Sequence, residues 1–395
     1  LKVFAESFSL PKIDNEELAA IVYTSGTTGF SKGVILQHNS LAANIIYAHI
    51  NMPLKPGDSI LSFMPLAHTY GCAFEFLFPF TLGCHITFLN KTPSPKIIVK
   101  AFQKIKPQLI LSVPLIIEKI YKKQILPQLN REPVKTLSKI PVLKNVIKKT
   151  IKKKLMEAFG NNFHEIVVGG AALNNKVEAF LADIKFPFTI GYGMTECGPL
   201  ISYASHKIHR LQSVGRVVNT MEVEIDYEDP KNQAGEILVR GENVMKGYYK
   251  NESATNSAID KDGWLHTGDM GLLDEDGFIY IKGRCKNMIL GPSGQNIYPE
   301  EIEARLNNMP LVQEALVIEH NQNLKALIYP DIDIIDAHSI DNEKLKQIME
   351  QNRKKINQQL PVYSRIKHIE LYPEEFEKTP TKKIKRFLYT ITSKE

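Results

Sequence analysis

Residues 23–33 read YTSGTTGFSKG, and this segment decides how the rest of the chain is interpreted. Its glycines let several backbone N–H groups converge on one anion, its hydroxyls donate to anionic oxygens, and Lys32 adds a positive charge. The apolar run at 18–23 predicts a strand that leads into a loop. We therefore predict a phosphate-binding loop over 24–33. Its candidate phosphate ligands are Thr24, Ser25, Gly26, Thr27, Thr28, Gly29 and Lys32.

The spacing within this loop differs from that of a Walker A motif. Gly26 is followed five places later by Ser31 and then by Lys32 and Gly33, whereas a Walker A loop continues as Gly-Lys-Ser/Thr. An ordinary P-loop NTPase is therefore disfavoured, and a flexible surface loop is the structural alternative.

Alternating strands and helices predict a layered α/β domain around this loop. The predicted strands are 18–23, 59–63, 85–89, 165–168 and 188–191, and the predicted helices are 39–48 and 97–125. Two of these strands lead into glycine turns, Gly169-Gly170 and Tyr192-Gly193, where a ligand can approach the backbone. Both turns are candidate walls of a site. From residue 222 onward, short strands between turn residues predict a β-rich subdomain.

The pattern changes near Arg284 to a compact unit with its own helices and strands. The predicted elements are a helix at 299–307, strands at 312–318 and 324–328, a helix at 342–360 and a strand at 366–371. Apolar residues of the 342–360 helix fall on one stripe, as in a helix packed on a small sheet. We therefore divide the chain into domains 1–283 and 284–395.

The composition is that of an ordinary globular protein with more than one domain. Of the 395 residues, 43% are hydrophobic and 23% are charged, and no uninterrupted apolar run is long enough for a membrane span. The four cysteines match neither a paired metal motif nor a disulfide framework, and no secretory signal is visible. A reducing cytoplasm is the favoured compartment.

Positive charge is concentrated in residues 96–154. This segment holds 16 lysines or arginines against Glu118 and Glu132, whereas the net charge of the whole chain is +6. Interleaved isoleucines and leucines indicate helices with one apolar face, so we predict either peripheral contact with an anionic membrane surface or a solvated cationic face. No nucleic-acid partner is predicted.

Eight segments in serial order resemble the adenylate-forming superfamily, which includes acyl-CoA synthetases, luciferases and peptide-synthetase adenylation domains. The first is YTSGTTGFSKG. The others are MPLAHTYG (64–71), VVGGAAL (167–173), GYGMTE (191–196), GWLHTGD (263–269), GRCKNMI (283–289), GQNIYPEEIE (294–303) and EKTPTKKIKR (377–386). Within that superfamily, the chain looks most like a bacterial long-chain fatty acid–CoA ligase.

The resemblance implies a large layered α/β adenylation domain with a β-rich subdomain, followed by a small mobile C-terminal α+β domain. It implies that a fatty acid reacts with Mg-ATP to give acyl-AMP and pyrophosphate, and that coenzyme A then takes the acyl group. A ligase that loads an acyl carrier protein, or an inactive truncated nucleotide-binding homologue, are the alternatives. Few residues precede the phosphate loop, so we expect an N-terminally incomplete copy with a large exposed apolar patch.

Several residues acquire nucleotide-binding roles from this resemblance and from their chemistry. Tyr192, between Gly191 and Gly193, is suited to stack on adenine. Glu196 is suited to Mg²⁺ that bridges the ATP phosphates, with a structural ion pair as the alternative. An ionised Asp269 accepts hydrogen bonds only, and the resemblance assigns it the ribose hydroxyls. The resemblance further includes Thr195 among the catalytic residues, and Gly170 and Ala171 among the nucleotide-binding residues.

The resemblance also assigns residues to the small domain and the hinge. Arg284 corresponds to an arginine that contacts ribose or phosphate, and Lys286 corresponds to the hinge residue. Lys383 corresponds to the catalytic lysine that reaches the reacting carboxylate and the α-phosphate, although Lys382 replaces the usual glycine before it. A solvated basic tail is the alternative for this last segment.

The acyl and coenzyme A sites are assigned in the same way. His68 corresponds to a histidine at the mouth of the acyl pocket. The aromatic residues that follow at period two either line a fatty-acid tunnel or belong to the core; they are Phe74, Phe76, Phe78 and Phe80. Gly291, Ser293 and Gly294 correspond to the small residues that admit the pantetheine arm of coenzyme A.

Overall fold

The computed structural model describes residues 11–25, 31–129, 131–132, 140–227, 229, 233–291, 294–378 and 384–390. The strand predicted before the phosphate loop is present. Strand Leu18–Ser25 pairs antiparallel with Ser31–Gln37, and Thr24 lies opposite Lys32. The prediction of a loop over the whole of 24–33 is wrong, because both of its ends are paired strand residues. Its central residues lie outside the described part of the chain; they include Gly26, Thr27, Thr28 and Gly29.

Parallel strands flanked by helices form the layered part of the large domain, as predicted. Strand Ser59–Ser62 pairs with His85–Phe88, and a second parallel sheet contains Leu109–Ser112, Glu165–Val168 and Phe188–Ile190. The described helices here are His38–Asn51, Thr69–Gly71, Phe78–Leu82, Pro95–Ile105, Pro114–Ile120, Leu126–Leu129, Pro141–Ala158, Asn175–Asp183 and Glu252–Ala258, with π-helical turns at Cys72–Leu77 and Tyr121–Ile125. The second sheet is almost wholly buried, as helices on both faces require.

The prediction of a single helix over 97–125 is wrong, because residues in the middle of this range form a strand. The structure has helix Pro95–Ile105, strand Leu109–Ser112 and helix Pro114–Ile120 in that region. Pro107 interrupts a continuous helix, because proline lacks a backbone N–H and clashes with the preceding turn. All four residues of the strand are buried, so the apolar run that resembled a helical face belongs to the sheet.

The phenylalanines at alternate positions from 74 to 80 lie on helical backbone rather than on a strand. Phe74 and Phe78 are buried in the core, whereas Phe80 is 65% exposed and stacks on Phe76 with 5.7 Å between ring centroids. The period-two stripe therefore divides between the core and the surface. The acyl tunnel that these residues were expected to line stays a prediction.

Short antiparallel strands dominate from residue 222 to residue 297, as predicted for the β-rich subdomain, and they begin earlier than predicted, at residue 192. One sheet contains Tyr192–Gly193, Leu200–Tyr203 and Arg216–Val217, and a four-stranded sheet contains Met221–Asp226, Gly235–Gly241, Leu265–Leu273 and Ile279–Arg284. Gly247–Tyr248 joins the first hairpin of the chain, and Ile289–Leu290 pairs with Asn296–Ile297. Single 3-10 turns occur at Thr195–Cys197 and Cys285–Asn287.

The last part of the chain forms the small α+β domain. Its sheet contains Val312–His320, Asn323–Pro330 and Ile366–Leu371, and its helices are Pro299–Leu306, Ile332–Ala337, Asn342–Asn357 and Phe387–Thr390, with a 3-10 turn at Val362–Ser364. Leu345, Met349 and Ile356 form the buried stripe of the longest helix, as predicted. Because this helix packs on residues of its own domain, the small domain has a separate hydrophobic core.

Large apolar side chains are exposed on helix His38–Asn51 of the large domain. Ile46 and Ile50 lie one turn apart and are 59% and 73% exposed, and Phe88, at the end of strand His85–Phe88, is 53% exposed. The large exposed apolar patch expected on this domain stays a prediction. Within the described ranges, no helix combines the length and the apolar character needed to cross a membrane.

Candidate functional site

The first cluster of polar side chains lies where strand Ser31–Gln37 pairs with Gly247–Tyr248. The Tyr248 hydroxyl donates to Oε1 of Glu196 at 2.9 Å, and Lys32 Nζ lies 4.6 Å from the centroid of the Tyr248 ring. Burial raises the pKa of the Tyr248 phenol, and the Glu196 carboxylate raises it further, so the hydroxyl stays protonated and donates. Tyr248 therefore joins Lys32 and Glu196 in one cluster.

The second cluster is built on the four-stranded sheet, where Asp269 and Arg284 are directly paired on neighbouring strands. Arg284 Nε lies 2.8 Å from Asp269 Oδ1, and the Tyr192 hydroxyl donates to Asp269 Oδ2 at 2.7 Å. Burial raises the pKa of Tyr192 well above its ordinary value, and the nearby Asp269 carboxylate raises it further. Each carboxylate oxygen accepts more than one hydrogen bond, so the held Asp269 can still accept ribose hydroxyls.

The two clusters share one short segment of chain, residues 192–197. Tyr192 begins this segment on a strand, and Glu196 follows on the 3-10 turn Thr195–Cys197. Asn44 holds this part of the chain through two hydrogen bonds. Its Nδ2 donates to the Cys197 carbonyl at 3.1 Å, and its Oδ1 accepts from Leu200 N–H at 2.8 Å. Thr195, which lies between Tyr192 and Glu196, belongs to the same segment. The structure therefore brings the predicted phosphate and ribose residues into one region.

The two predicted glycine turns also lie side by side. Gly191 N–H donates to the Val168 carbonyl at 3.0 Å, which connects the second turn to the strand before the first. Gly170 has a φ of +84° and is exposed, so its conformation requires glycine. Ala171 is exposed next to it. Both turns thus form an accessible edge beside residues 192–197.

Gly193 is a glycine for a structural reason that the sequence did not reveal. A Cβ atom added there would lie 2.0 Å from the Pro199 carbonyl oxygen, so only glycine fits between the two backbone segments. For Gly191 the nearest atom to such a Cβ is the Ser202 carbonyl oxygen at 3.5 Å. Close approach of a ligand to the backbone at Gly193 stays a prediction, because packing alone already accounts for this glycine.

Glu196 is the predicted magnesium ligand, and its surroundings fit that ion. Mg²⁺ prefers oxygen ligands and is commonly held by one or two carboxylates together with substrate phosphates. The described residues contain no group of three or more His, Cys, Asp or Glu side chains arranged to hold a metal ion by themselves. The Glu196 carboxylate, which shares its neighbour Tyr248 with the Lys32 ammonium, is therefore suited to a metal that arrives with a phosphate ligand.

The remaining predicted residues divide into those that the structure describes and those that it does not. His68 is exposed at the start of helix Thr69–Gly71, and Lys286 is exposed on the turn Cys285–Asn287. Gly291 and Gly294 form the tight turn between two short strands, where Gly294 N–H donates to the Gly291 carbonyl at 2.9 Å. Ser293 and Lys383 lie outside the described residues.

Tyr248 and Thr267 are site residues that the sequence analysis missed. Tyr248 contacts two predicted residues, and the Thr267 hydroxyl accepts from Asp269 N–H at 3.1 Å while its carbonyl accepts from Arg284 at 3.3 Å. Thr267 falls inside the GWLHTGD segment, so the motif itself was a signal. Tyr248 has no comparable signal, because its contacts join residues that are distant in sequence.

The layered large domain, the hairpin with its phosphate-loop sequence and the two clusters at residues 192–197 define an adenylate-forming fold. Comparison with family models identifies it further. Residues 3–249 match the AMP-binding enzyme family, and residues 286–389 match the AMP-binding enzyme C-terminal domain. The chain therefore belongs to the AMP-binding enzyme family.

Relatives with named activities include two plant proteins and one rat protein. The chain is 30% identical over 328 residues to the long-chain-fatty-acid–CoA ligase ACSBG2 of Rattus norvegicus, covering 76% of this chain and 49% of the relative. It is 30% identical over 376 residues to 4-coumarate–CoA ligase 4 of Arabidopsis thaliana, covering 91% and 59%. It is 30% identical over 400 residues to the chloroplastic long-chain-fatty-acid–acyl-carrier-protein ligase AEE15 of the same plant, covering 85% and 54%. The chain thus spans about half the length of these relatives.

Solved structures share the fold over nearly the whole chain. ATP-bound MatB from Rhodopseudomonas palustris has a TM-score of 0.77 at 23% identity, covering 99% of this chain and 71% of that one. O-succinylbenzoate coenzyme A synthetase (MenE) from Bacillus subtilis, in complex with ATP and a magnesium ion, has a TM-score of 0.73 at 23% identity, covering 98% and 73%. These likenesses confirm the predicted α/β fold with its small C-terminal domain.

Proposed function

We propose that this protein is a long-chain fatty acid–CoA ligase that works through an acyl-adenylate. In the first step, the fatty acid carboxylate attacks the α-phosphorus of ATP, which forms acyl-AMP and releases pyrophosphate. In the second step, the coenzyme A thiol attacks the acyl carbonyl, which forms the thioester and releases AMP. The name of the rat relative supports the fatty acid, and family membership supports the nucleotide.

The observation that carries this proposal is the joining of the two clusters by residues 192–197. A nucleotide needs cationic and hydrogen-bonding groups for its phosphates and an acceptor for its ribose hydroxyls. Lys32 and Glu196 both contact Tyr248 at one end of the segment, and Tyr192 and Arg284 both contact Asp269 at the other. This spacing suits a single molecule that carries both ribose and phosphate.

Each described residue then has a specific task. Asp269 accepts the ribose hydroxyls, and Tyr192 and Arg284 hold its carboxylate in place. Lys32 attracts the phosphates, and Glu196, oriented by Tyr248, provides an oxygen ligand for Mg²⁺. When bound, Mg²⁺ neutralises phosphate charge that would otherwise repel the attacking carboxylate. Lys383 supplies a further cation to the reacting atoms in the first step.

The second step requires a different set of residues beside the same acyl carbonyl. We infer that the small domain rotates about Lys286 between the two steps, since one small domain can then serve both. Gly291, Ser293 and Gly294 then admit the pantetheine arm, and His68 lies at the mouth of the acyl pocket. These assignments rest on the resemblance of the motifs.

The deciding experiment is a coenzyme A consumption assay with ATP and Mg²⁺ across acids of graded chain length, with acetate and 4-coumarate included. We expect consumption that depends on both ATP and acid and that is fastest for long-chain acids. Preference for acetate or 4-coumarate would overturn the long-chain assignment. AMP binding without pyrophosphate release from any acid would identify an inactive homologue instead.

A ligase that loads an acyl carrier protein is the second candidate, and the similarity to AEE15 favours it. Pyrophosphate release does not separate the candidates, because both form acyl-AMP. Acyl-CoA formation in the absence of any carrier protein would support the coenzyme A ligase. Acyl-AMP that accumulates with coenzyme A and disappears only when a carrier protein is added would support the alternative.

We further infer that the basic helix Pro141–Ala158 contacts anionic membranes from which a long-chain acid is taken. Lys149 and Lys153 are exposed one turn apart, and Val146, on the same side, is 55% exposed. Lys148 forms an ion pair with Asp183 at 2.6 Å, so it is less available to contact a membrane surface. Basic residues near an anionic membrane surface contribute about 1 kcal/mol each.

Sedimentation with vesicles tests this contact. Wild-type protein should bind vesicles that contain phosphatidylserine, should bind neutral vesicles weakly, and should be released by salt. Lys149→Glu/Lys153→Glu should weaken binding by about tenfold or more. Lys346→Glu/Lys354→Glu, on an exposed helix of the small domain, is the charge-matched control. Equal losses in both double variants would show that net charge alone governs binding and would remove the helix from the proposal.

A further inference from the structure

The turn that carries Asp269 is held by a carboxylate on the neighbouring strand. Glu236 Oε1 accepts from Gly268 N–H at 2.9 Å, and Glu236 Oε2 lies 2.9 Å from His266 Nδ1. Both oxygens of Glu236 therefore contact residues within three positions of Asp269. The sequence analysis gave no role to either Glu236 or His266.

These contacts lie at an irregularity in the strand pairing, where support of this kind has the largest effect. The pairing of Gly235–Gly241 with Leu265–Leu273 shifts register between Glu236 and Leu238. Gly268 has a φ of +69°, which L side chains rarely adopt. A bulge re-aims the side chain that follows it, and here that side chain is the Asp269 carboxylate.

Other contacts restrain Thr267 and Asp269, the residues on either side of Gly268. The Thr267 hydroxyl donates to the Ile237 carbonyl at 2.7 Å and accepts from Asp269 N–H at 3.1 Å. Without Glu236, the Gly268 N–H would lose its acceptor at the bulge, and the Asp269 carboxylate would shift from the direction in which it now meets Tyr192 and Arg284. The Thr267 hydroxyl thus holds the backbone of Asp269, whereas Glu236 holds the backbone of Gly268.

We propose that Glu236, oriented by His266, is a positioning residue that sets the direction of the Asp269 carboxylate toward the bound ribose. The inference rests on the proposed function, since it assigns the ribose to Asp269. This role requires no contact between Glu236 and the nucleotide. It acts by holding Gly268 N–H, and His266 acts by holding the second oxygen of Glu236.

AMP titration by calorimetry tests this role without any acyl substrate. Glu236→Ala should raise the Kd for AMP by about ten- to hundredfold, the size expected for the loss of a hydrogen bond to a charged group. Glu236→Gln keeps an oxygen that can accept from Gly268 N–H, so it should restore most of the affinity. His266→Ala should raise the Kd by about three- to tenfold, because Glu236 remains but is no longer oriented. Glu222→Gln, which removes an exposed ion pair with Arg240 on the same sheet, is the matched control and should leave the Kd unchanged.

The outcomes separate this inference from the proposed function. Wild-type protein that binds no AMP would overturn the nucleotide assignment and the positioning role together. Wild-type binding with an unchanged Kd in folded Glu236→Ala would overturn the positioning role alone, even if that variant unfolds at a lower temperature. Should Glu236→Ala fail to fold, His266→Ala decides: a wild-type Kd in that variant overturns the proposal.

Discussion

At the scale of single residues, Lys383 carries the most specific prediction about catalysis. One anion attacks another in the first step, so a cation beside the reacting atoms lowers the barrier. Lys383→Ala should reduce acyl-AMP formation by about 10²- to 10³-fold while AMP still binds, the size of effect seen when one such group is removed. Pyrophosphate exchange measures the first step, and calorimetry measures binding.

Lys385, two residues further along, provides the matched control. Its ammonium lies 3.1 Å from the Glu377 carboxylate within the small domain, so its removal should cost little activity. Equal loss in Lys383→Ala and Lys385→Ala would show that this segment acts only as a basic tail. Loss in Lys385→Ala alone would move the catalytic role to that residue.

Glu75 carries a prediction about stability and pH. Its Oε2 accepts from Ser62 Oγ and from the backbone N–H groups of Phe63 and Met64, whereas its Oε1 is buried without a hydrogen-bond partner among the described residues. Burial raises the pKa of Glu75 to about 8, and the three hydrogen bonds offset this only in part. The neutral acid is therefore the form that the fold prefers.

The sign of the pH dependence follows from this raised pKa. An acid whose pKa is higher in the folded state stabilises the protein below its unfolded value, near 4.5, and this stability is lost as the pH rises toward 8. Glu75→Gln cannot ionise, so wild-type protein should lose stability relative to the variant over this range, by an amount on the order of a few kcal/mol. Urea unfolding at pH 5, 7 and 9 measures the difference. Parallel pH profiles for the two proteins would contradict the prediction.

At the scale of elements, the segment of residues 192–197 depends on close backbone packing. Gly193→Ala places a Cβ against the Pro199 carbonyl, so the strands must separate, at a cost of about 2 kcal/mol or more. Gly191→Ala, two residues earlier, has room for the same Cβ and should unfold close to the wild-type temperature. Thermal unfolding of the two variants measures this difference. Equal unfolding temperatures would show that the strand pair adjusts without cost.

The same segment shows what the sequence predicts well and what it does not. Residues 191–196 were recognised because tyrosine, glutamate and glycine stand in one short motif. Tyr248 was missed, since its bonds to Glu196 and its contact with Lys32 arise only when strand Gly247–Tyr248 pairs with the first hairpin. Short-range patterns specify which residues are chemically suited to a site, whereas pairing between distant strands determines which of them meet.

Element assignments failed for a related reason. Strand Leu109–Ser112 was predicted as helix, because a short apolar run buried on both faces has no period of its own. The four alternating phenylalanines were expected to line a tunnel or to belong to the core, yet their backbone is helical and only Phe74 and Phe78 enter the core. Tertiary burial decided both cases, and burial is not visible in a local pattern.

At the scale of the whole molecule, two polar contacts among the described residues join the large domain to the small one. Lys176 Nζ on helix Asn175–Asp183 donates to the Asn308 carbonyl of the small domain at 2.8 Å. Nearer the hinge, Lys282 pairs with Glu301 at 3.1 Å. A domain that rotates between two reaction steps needs contacts of this kind, which are strong enough to hold one orientation and weak enough to break.

Lys176→Ala should therefore make the hinge more accessible. Partial burial lowers the pKa of Lys176, and the nearby Lys355 ammonium lowers it further. Part of the stabilisation from the hydrogen bond to Asn308 therefore offsets the cost of holding a charged lysine at this position. Loss of the bond should speed tryptic cleavage after the exposed Lys286 by about two- to tenfold, as expected for one charge-assisted hydrogen bond at a partly exposed site. Lys207→Ala, which removes an exposed lysine of the large domain, should leave that rate unchanged. Equal cleavage rates in all three proteins would show that the Lys176 contact does not restrain the small domain, and the hinge would then be governed by the contacts of Lys282 and its neighbours.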